Sequence, residues 1–146
     1  MKTILIFAMC ALVNCSSFAA DTGPTAPAAV DKEMQAARAQ IAKKDWTAAV
    51  ATLEPYTKAN AKSADGFNLL GYSYRNLKRY DESLVAYKQA LTLDPKHKGA
   101  HEYIGIAYIQ MGQPAKAREH LAALDKICTF SCEEYRDLKK ALEAVK

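Results

Sequence analysis

Apolar side chains recur at helical spacing along most of the chain, in segments separated by short polar turns. In the segment 65–77, Phe67, Leu70 and Tyr74 fall at i, i+3 and i+7, which places them on one face of a helix. The next segment, 80–93, carries a face of the same kind. The pattern therefore predicts an all-α fold built from pairs of amphipathic helices.

The pattern also repeats with a period of 34 residues. Trp46, Tyr80 and Pro114 lie one period apart, and Gly71 and Gly105 share a position in the repeat. Such a period is typical of stacked helix pairs, since one pair cannot bury its apolar face alone. The domain at 31–146 is predicted to hold repeats at about 30–63, 64–97 and 98–131, followed by an amphipathic helix at 133–145.

Proline and glycine predict where several helices end. Pro95 has no N–H and disfavours helical backbone in the residue before it, so the helix at 80–93 should stop there. Gly112 suits a left-handed stop, and Pro114 suits the first turn of the next helix. Pro55 lies inside a helical pattern, where we expect it to kink or shorten the helix.

The central unit resembles the tetratricopeptide repeat at all eight signature positions. These are Phe67, Leu70, Gly71, Tyr74, Ser83, Tyr87, Ala90 and Pro95. The resemblance implies an alpha-alpha superhelix (a solenoid) of three helix hairpins, in which the helix at 133–145 caps the last repeat. It also implies a protein-binding adaptor rather than an enzyme.

In the tetratricopeptide family the first helix of each repeat lines the concave face. Carried over by position, the resemblance implies a peptide-binding groove formed by Arg38, Asn68, Tyr72, Arg75, Asn76, Glu102, Tyr103 and Ile106. The tyrosines offer flat apolar area with a polar tip. The amides and arginines can hydrogen-bond a peptide backbone or a carboxylate.

The first 20 residues have the order of a signal peptide. Lys2 is followed by an apolar run, Ile4 to Val13, and by small residues that favour cleavage near Ala19 or Ala20. Residues 21–30 are rich in Pro, Ala and Thr and predict an extended, flexible leader. We therefore expect an exported, periplasmic protein; the alternatives are secretion, or a lipid anchor at Cys15.

Two of the four cysteines would leave with the signal, so that Cys128 and Cys132 remain. An even pair in an oxidising compartment indicates a structural disulfide. A disulfide at this spacing needs a turn between the two residues, because an unbroken helix would aim the side chains poorly. Free thiols and a redox or metal-binding pair stay open as alternatives.

Composition narrows the functional classes. The 20 basic and 16 acidic residues are interspersed and give a net charge of +4, which does not favour nucleic-acid binding. No motif for a catalytic centre, cofactor or phosphate loop occurs. His97 and His101 lack an obvious third ligand, so no metal is expected.

The sequence thus predicts a partner that is a protein or peptide and no membrane span after signal removal. Two other functions stay open: a self-assembling or envelope-complex scaffold that uses other surfaces, as a homo-oligomer or with envelope partners, and a periplasmic thiol- or metal-handling protein.

Overall fold

The computed structural model describes the backbone of residues 26–145 and side chains from residue 32 onward. This part of the chain is built from helices and contains no strand. The helices are α1 Ala26–Ala42, α2 Trp46–Ala59, α3 Ala64–Asn76, α4 Tyr80–Leu93, α5 Lys98–Gln110, α6 Pro114–Ile127 and α7 Glu133–Glu143. They form three hairpins and a last single helix, which confirms the predicted all-α fold.

The two ends differ from the sequence prediction. Helix α1 begins at Ala26, so the prediction of an extended leader is wrong for residues 26–30. Alanine is the strongest helix former, and Pro27 stands in the first turn, where no intrahelical N–H bond is lost. Helix α7 ends at Glu143, two residues before the predicted end. The predicted signal peptide and residues 21–25 lie outside the described residues.

The turn within each hairpin shows the repeat in the backbone itself. Lys44, Lys78 and Gly112, each 34 residues apart, have φ values of 58°, 61° and 71°. In each turn the residue after the left-handed one donates its N–H to the carbonyl five positions earlier. Arg79 N–H, for example, donates to the Tyr74 carbonyl at 3.0 Å. These are Schellman-type helix ends. The first unit, the weakest in sequence, is therefore a full repeat in structure.

Helix α2 runs through Pro55 to Ala59, so Pro55 does not shorten the helix; a kink at this residue stays a prediction. Pro55 and Ala51, whose carbonyl loses its helical partner, are both exposed, and water can satisfy that carbonyl. One turn later, the Thr57 hydroxyl donates to the Leu53 carbonyl at 2.9 Å and bonds the last turns together.

The helices form two rows. Helices α1, α3 and α5 contact one another in sequence, whereas α2, α4 and α6 contact only inner helices and, for α6, also α7. The row α1, α3, α5 is therefore the inner, concave side of the array. Two glycines allow this packing: a Cβ on Gly71 would lie 2.6 Å from the Tyr87 ring, and one on Gly105 would lie 2.5 Å from Leu138.

Helix α7 completes the third repeat, in which Leu121 replaces the tyrosine of the second. Leu138 is fully buried over Gly105, in the place that Tyr87 takes over Gly71. None of the helices in the described chain is both long and apolar enough to cross a membrane.

Candidate functional site

A row of aromatic rings crosses the inner face. Tyr72 of α3 and Tyr103 of α5 lie with their ring centroids 4.9 Å apart. Trp46, the first residue of α2, meets the other side of Tyr72 edge-on at 5.6 Å. Helix stacking thus brings side chains from three helices into one surface, which offers apolar area with hydroxyl and indole groups at its edges.

Arg75 lies over this row. Its guanidinium carbon is 5.1 Å from the centre of the Tyr72 ring and 5.8 Å from that of Tyr103. Its Nη1 donates to Gln110 at 3.3 Å, and its Nε is buried without a hydrogen-bond partner among the described residues. The two rings hold a guanidinium in place, and guanidinium is the group best suited to bind a carboxylate in two-pronged fashion.

A small acidic pocket continues the inner face toward the C-terminus. Glu102 and Tyr103 of α5 and Glu134 and Asp137 of α7 line a cavity of about 240 Å³. Burial, and then the carboxylates of Asp137 and Glu134, raise the pKa of Glu102 to about 7. Burial, followed by Glu102, raises the pKa of Tyr103 to about 12. This end of the inner face therefore favours a cationic group, while Arg75 favours an anionic one.

Three other residues predicted for the groove make contacts within the fold. Asn68 is only 7% exposed, and its side chain is packed near Gly99 of α5. The Asn76 amide donates to the Tyr72 carbonyl at 2.8 Å within its own helix. Ile106 packs against the buried cluster under α7. Each of these side chains already contacts the fold, and its part in binding stays a prediction.

Arg38 lies at the N-terminal end of the inner face. It is exposed and 3.9 Å from Asp65, which also bonds His97 at 3.1 Å. The structure brings together Tyr72, Arg75, Glu102 and Tyr103, and it leaves Arg38 on the first hairpin, away from that group.

Three contributors to this surface were not predicted from the sequence: Trp46, Glu134 and Asp137. Trp46 counts as a repeat position of an outer helix, but its place at the first residue of α2 turns the ring toward Tyr72. Glu134 and Asp137 lie outside the apolar stripe of the predicted cap, and their i, i+3 spacing is the sign in the sequence that they share a face. Their contribution follows from how α7 docks on α5.

The histidines do not converge on a metal site. His101 is buried, its Nε2–H donates to the Pro95 carbonyl at 3.1 Å, and its Nδ1 lies 3.1 Å from Nδ1 of His120. His97 Nδ1 instead accepts from the Ala100 N–H at the start of α5. Among the described residues no three His, Cys, Asp or Glu side chains are placed to hold a metal ion.

The two remaining cysteines lie on either side of the predicted turn. Cys128 follows the last residue of α6 and Cys132 precedes α7, with Cα atoms 5.7 Å apart and sulfur atoms at bonding distance. The turn is confirmed. That the pair is oxidised in the native protein stays a prediction.

Residues 64–97 match the family model of the tetratricopeptide repeat. The similar solved structures include MamA of strain MSR-1, with a TM-score of 0.63 and 26% identity over 70% of this chain and 59% of that one. This chain therefore spans about three fifths of that MamA chain. The comparison with curated proteins gives no match.

Two further structures share the fold at lower identity. The type III secretion translocator chaperone SycD of Yersinia enterocolitica gives a TM-score of 0.73 at 16% identity, over 80% of this chain and 91% of its own. The TPR2B domain of yeast Sti1, solved as a complex with pHsp70, gives a TM-score of 0.73 at 19% identity. The match covers 78% of this chain and 93% of that domain's chain. The repeat model and these neighbours agree: residues 64–97 match a tetratricopeptide repeat, and the described chain has the fold of the TPR2B domain.

Proposed function

We propose that this protein is a non-enzymatic adaptor that binds a segment of another protein on its inner face. The observation that carries the proposal is Arg75, held over the Tyr72 and Tyr103 rings without a carboxylate partner among the described residues. Such a cation on an aromatic row can bind a carboxylate while the rings cover apolar side chains.

The neighbours support this proposal at the level of the fold. One is named as a translocator chaperone and another was solved as a complex with pHsp70, so arrays of this shape do hold protein segments. Here the aromatic row and the acidic pocket lie side by side on one face, which favours a segment that carries an acidic group and a basic group.

The test is a quantitative comparison of captured partners. Wild-type protein and the double variant Tyr72→Ala/Arg75→Ala are expressed at equal levels, and proteins in proximity are labelled in the native cell. We expect the labelling of specific partners to fall at least ~10-fold in the double variant, as for loss of two central interface residues. Arg118→Ala, at an exposed arginine of α6, is the matched control.

Two conservative variants separate the roles of the groups. Tyr72→Phe keeps the ring and should retain binding, whereas Arg75→Lys keeps the charge but loses the planar fork and should weaken it. Thermal unfolding must show that each variant is folded. If every partner is captured equally by the folded double variant, the assignment to the inner face is wrong.

We further propose that the protein acts in the bacterial envelope with Cys128 and Cys132 oxidised. The support is the order of Lys2, an apolar run and small residues before Asp21, together with the adjacent sulfur atoms in the structure. Cell fractionation and a mass measured without reduction test both points. A cytosolic protein that retains residues 1–20, or two free thiols, would contradict them.

A further inference from the structure

A wide groove of the described chain lies on the outer side, opposite the proposed binding face. It has a volume of about 710 Å³ between α2 and α4, with Phe67, Leu70 and Tyr74 of α3 at its floor. Val85 stands at its edge with 70% of its surface exposed. We call this surface the outer groove.

The rim of the outer groove is mainly acidic. Glu54 of α2 and Asp81 and Glu82 of α4 line it, against a single lysine, Lys58. Glu54 accepts a hydrogen bond from the Tyr74 hydroxyl, and Glu82 pairs with Arg79 at 2.8 Å beside the groove. Asp81 has no ion-pair partner among the described residues. The groove therefore suits an apolar side chain with a basic group beside it.

The same chain presents such a side chain at its other end. Phe130, in the turn between Cys128 and Cys132, is 88% exposed, the highest value among the large apolar residues of the described chain. The guanidinium of Arg136 bonds the Ser131 carbonyl and so lies next to this turn. Glu133, the nearest carboxylate in sequence, lines the acidic pocket on the inner side instead.

Phe130 cannot reach the outer groove of its own molecule. Within the described chain, α6 and α7 contact only α5 and each other, whereas the outer groove is formed by α2, α3 and α4. We infer that Phe130 of one copy inserts into the outer groove of a second copy, with Arg136 beside the acidic rim. With Cys128 and Cys132 oxidised, as proposed above, the closed turn of five residues presents the ring at a low cost in conformational freedom.

This contact joins different surfaces of the two copies, so it leaves a free turn at one end and a free groove at the other. A head-to-tail contact of this kind produces open chains or rings rather than a closed dimer. A single inserted side chain indicates a small interface and weak association. The inference does not depend on the proposed binding of a partner, because the inner face stays free.

The experiment measures mass against concentration by light scattering, on the full protein in the form that the host produces. Wild type should grow beyond a dimer as concentration rises. Phe130→Ser and Val85→Lys should each weaken association at least ~10-fold, the effect typical of a central interface residue. Both positions are exposed, so the fold should tolerate the changes. Val145→Ser, at an exposed residue elsewhere, is the control and should behave as wild type.

The decisive arm mixes the two variants. Phe130→Ser retains the groove and Val85→Lys retains the turn, so their mixture should form one-to-one heterodimers and nothing larger. Wild type that stays monomeric throughout, variants that associate like wild type, or a mixture without heterodimers would each overturn the inference. Loss of association in Tyr72→Ala with retention in Phe130→Ser would also overturn it, by placing the contact on the inner face.

Discussion

At the scale of single residues, the three turn positions Lys44, Lys78 and Gly112 show what the fold demands of a side chain. All three adopt left-handed backbone, yet only Gly112 does so without a Cβ penalty. A Cβ on Gly112 would have no atom within 4 Å, so backbone conformation alone decides the outcome there.

Exchanging these residue types should therefore change stability in opposite directions. Lys78→Gly should raise the free energy of unfolding by about 0.5–1 kcal/mol, because it removes the left-handed penalty from the folded state. Gly112→Lys should lower it by a similar amount. Urea unfolding of the three proteins at one pH measures both changes. Changes of the same sign in both variants would show that local contacts, not φ, dominate these turns.

The residue scale also shows why part of the site could not be predicted. A lysine in left-handed conformation has no sign in the sequence, whereas Gly112 has one, so the left-handed residue was predicted only for the third turn. Trp46 is predicted only as a position of the 34-residue repeat; its contact with Tyr72 depends on how α2 starts beside α3. Asn68 matches a groove position, but burial next to Gly99 removes it from the surface.

At the scale of helices, α5 and α6 each carry one titrating group, Glu102 and His120, and the two groups have opposite effects on stability. The fold raises the pKa of Glu102 to about 7, chiefly by burial. The contribution of Glu102 to the free energy of unfolding is therefore full below pH 4.5 and is lost as the pH rises to about 7. The fold lowers the pKa of His120, which bonds α5 through His101, to about 4, again chiefly by burial. The contribution of His120 to the free energy of unfolding is therefore full above pH 6.5 and is lost as the pH falls to about 4.

Single substitutions should separate the two opposing dependences of stability on pH. With Glu102→Gln, stability should rise with pH between about 4 and 6.5 and then stay level, because only His120 still titrates. With His120→Gln, stability should fall between about 4.5 and 7. Each change should amount to about 1–2 kcal/mol, since both side chains are partly exposed to solvent. Urea midpoints from pH 4.5 to 7.5 measure this, and unchanged slopes in the variants would contradict it.

Helix limits were predictable where a residue has one dominant effect. Helix α4 spans the predicted 80–93, because Pro95 cannot continue it. Pro55 has the same chemistry, but it lies on an exposed face and α2 passes through it. The role of α7 was predicted only in part: its apolar stripe indicated a cap, whereas burial of Leu138 over Gly105 depends on three-dimensional docking.

At the scale of the whole molecule, the array is held together by contacts between neighbours in the chain. The first hairpin reaches the rest through α2 and α1 against α3, and α7 reaches it through α5 and α6. Stability in such arrays is close to a sum of local terms, so opening should start at the ends. The central repeat, which has neighbours on both sides, should open last.

Hydrogen exchange can test this order, and the cysteine pair provides an internal switch. Amides of α3 and α4 should exchange most slowly. A closed loop of five residues contributes about 2 kcal/mol in the chain-entropy model, so reduction should speed exchange in α7 by about 10- to 30-fold. Helices α1 and α2, remote from Cys128 and Cys132, should not respond and serve as the reference. Equal acceleration in all helices would instead indicate a single cooperative unit, in which the ends cannot open without the centre.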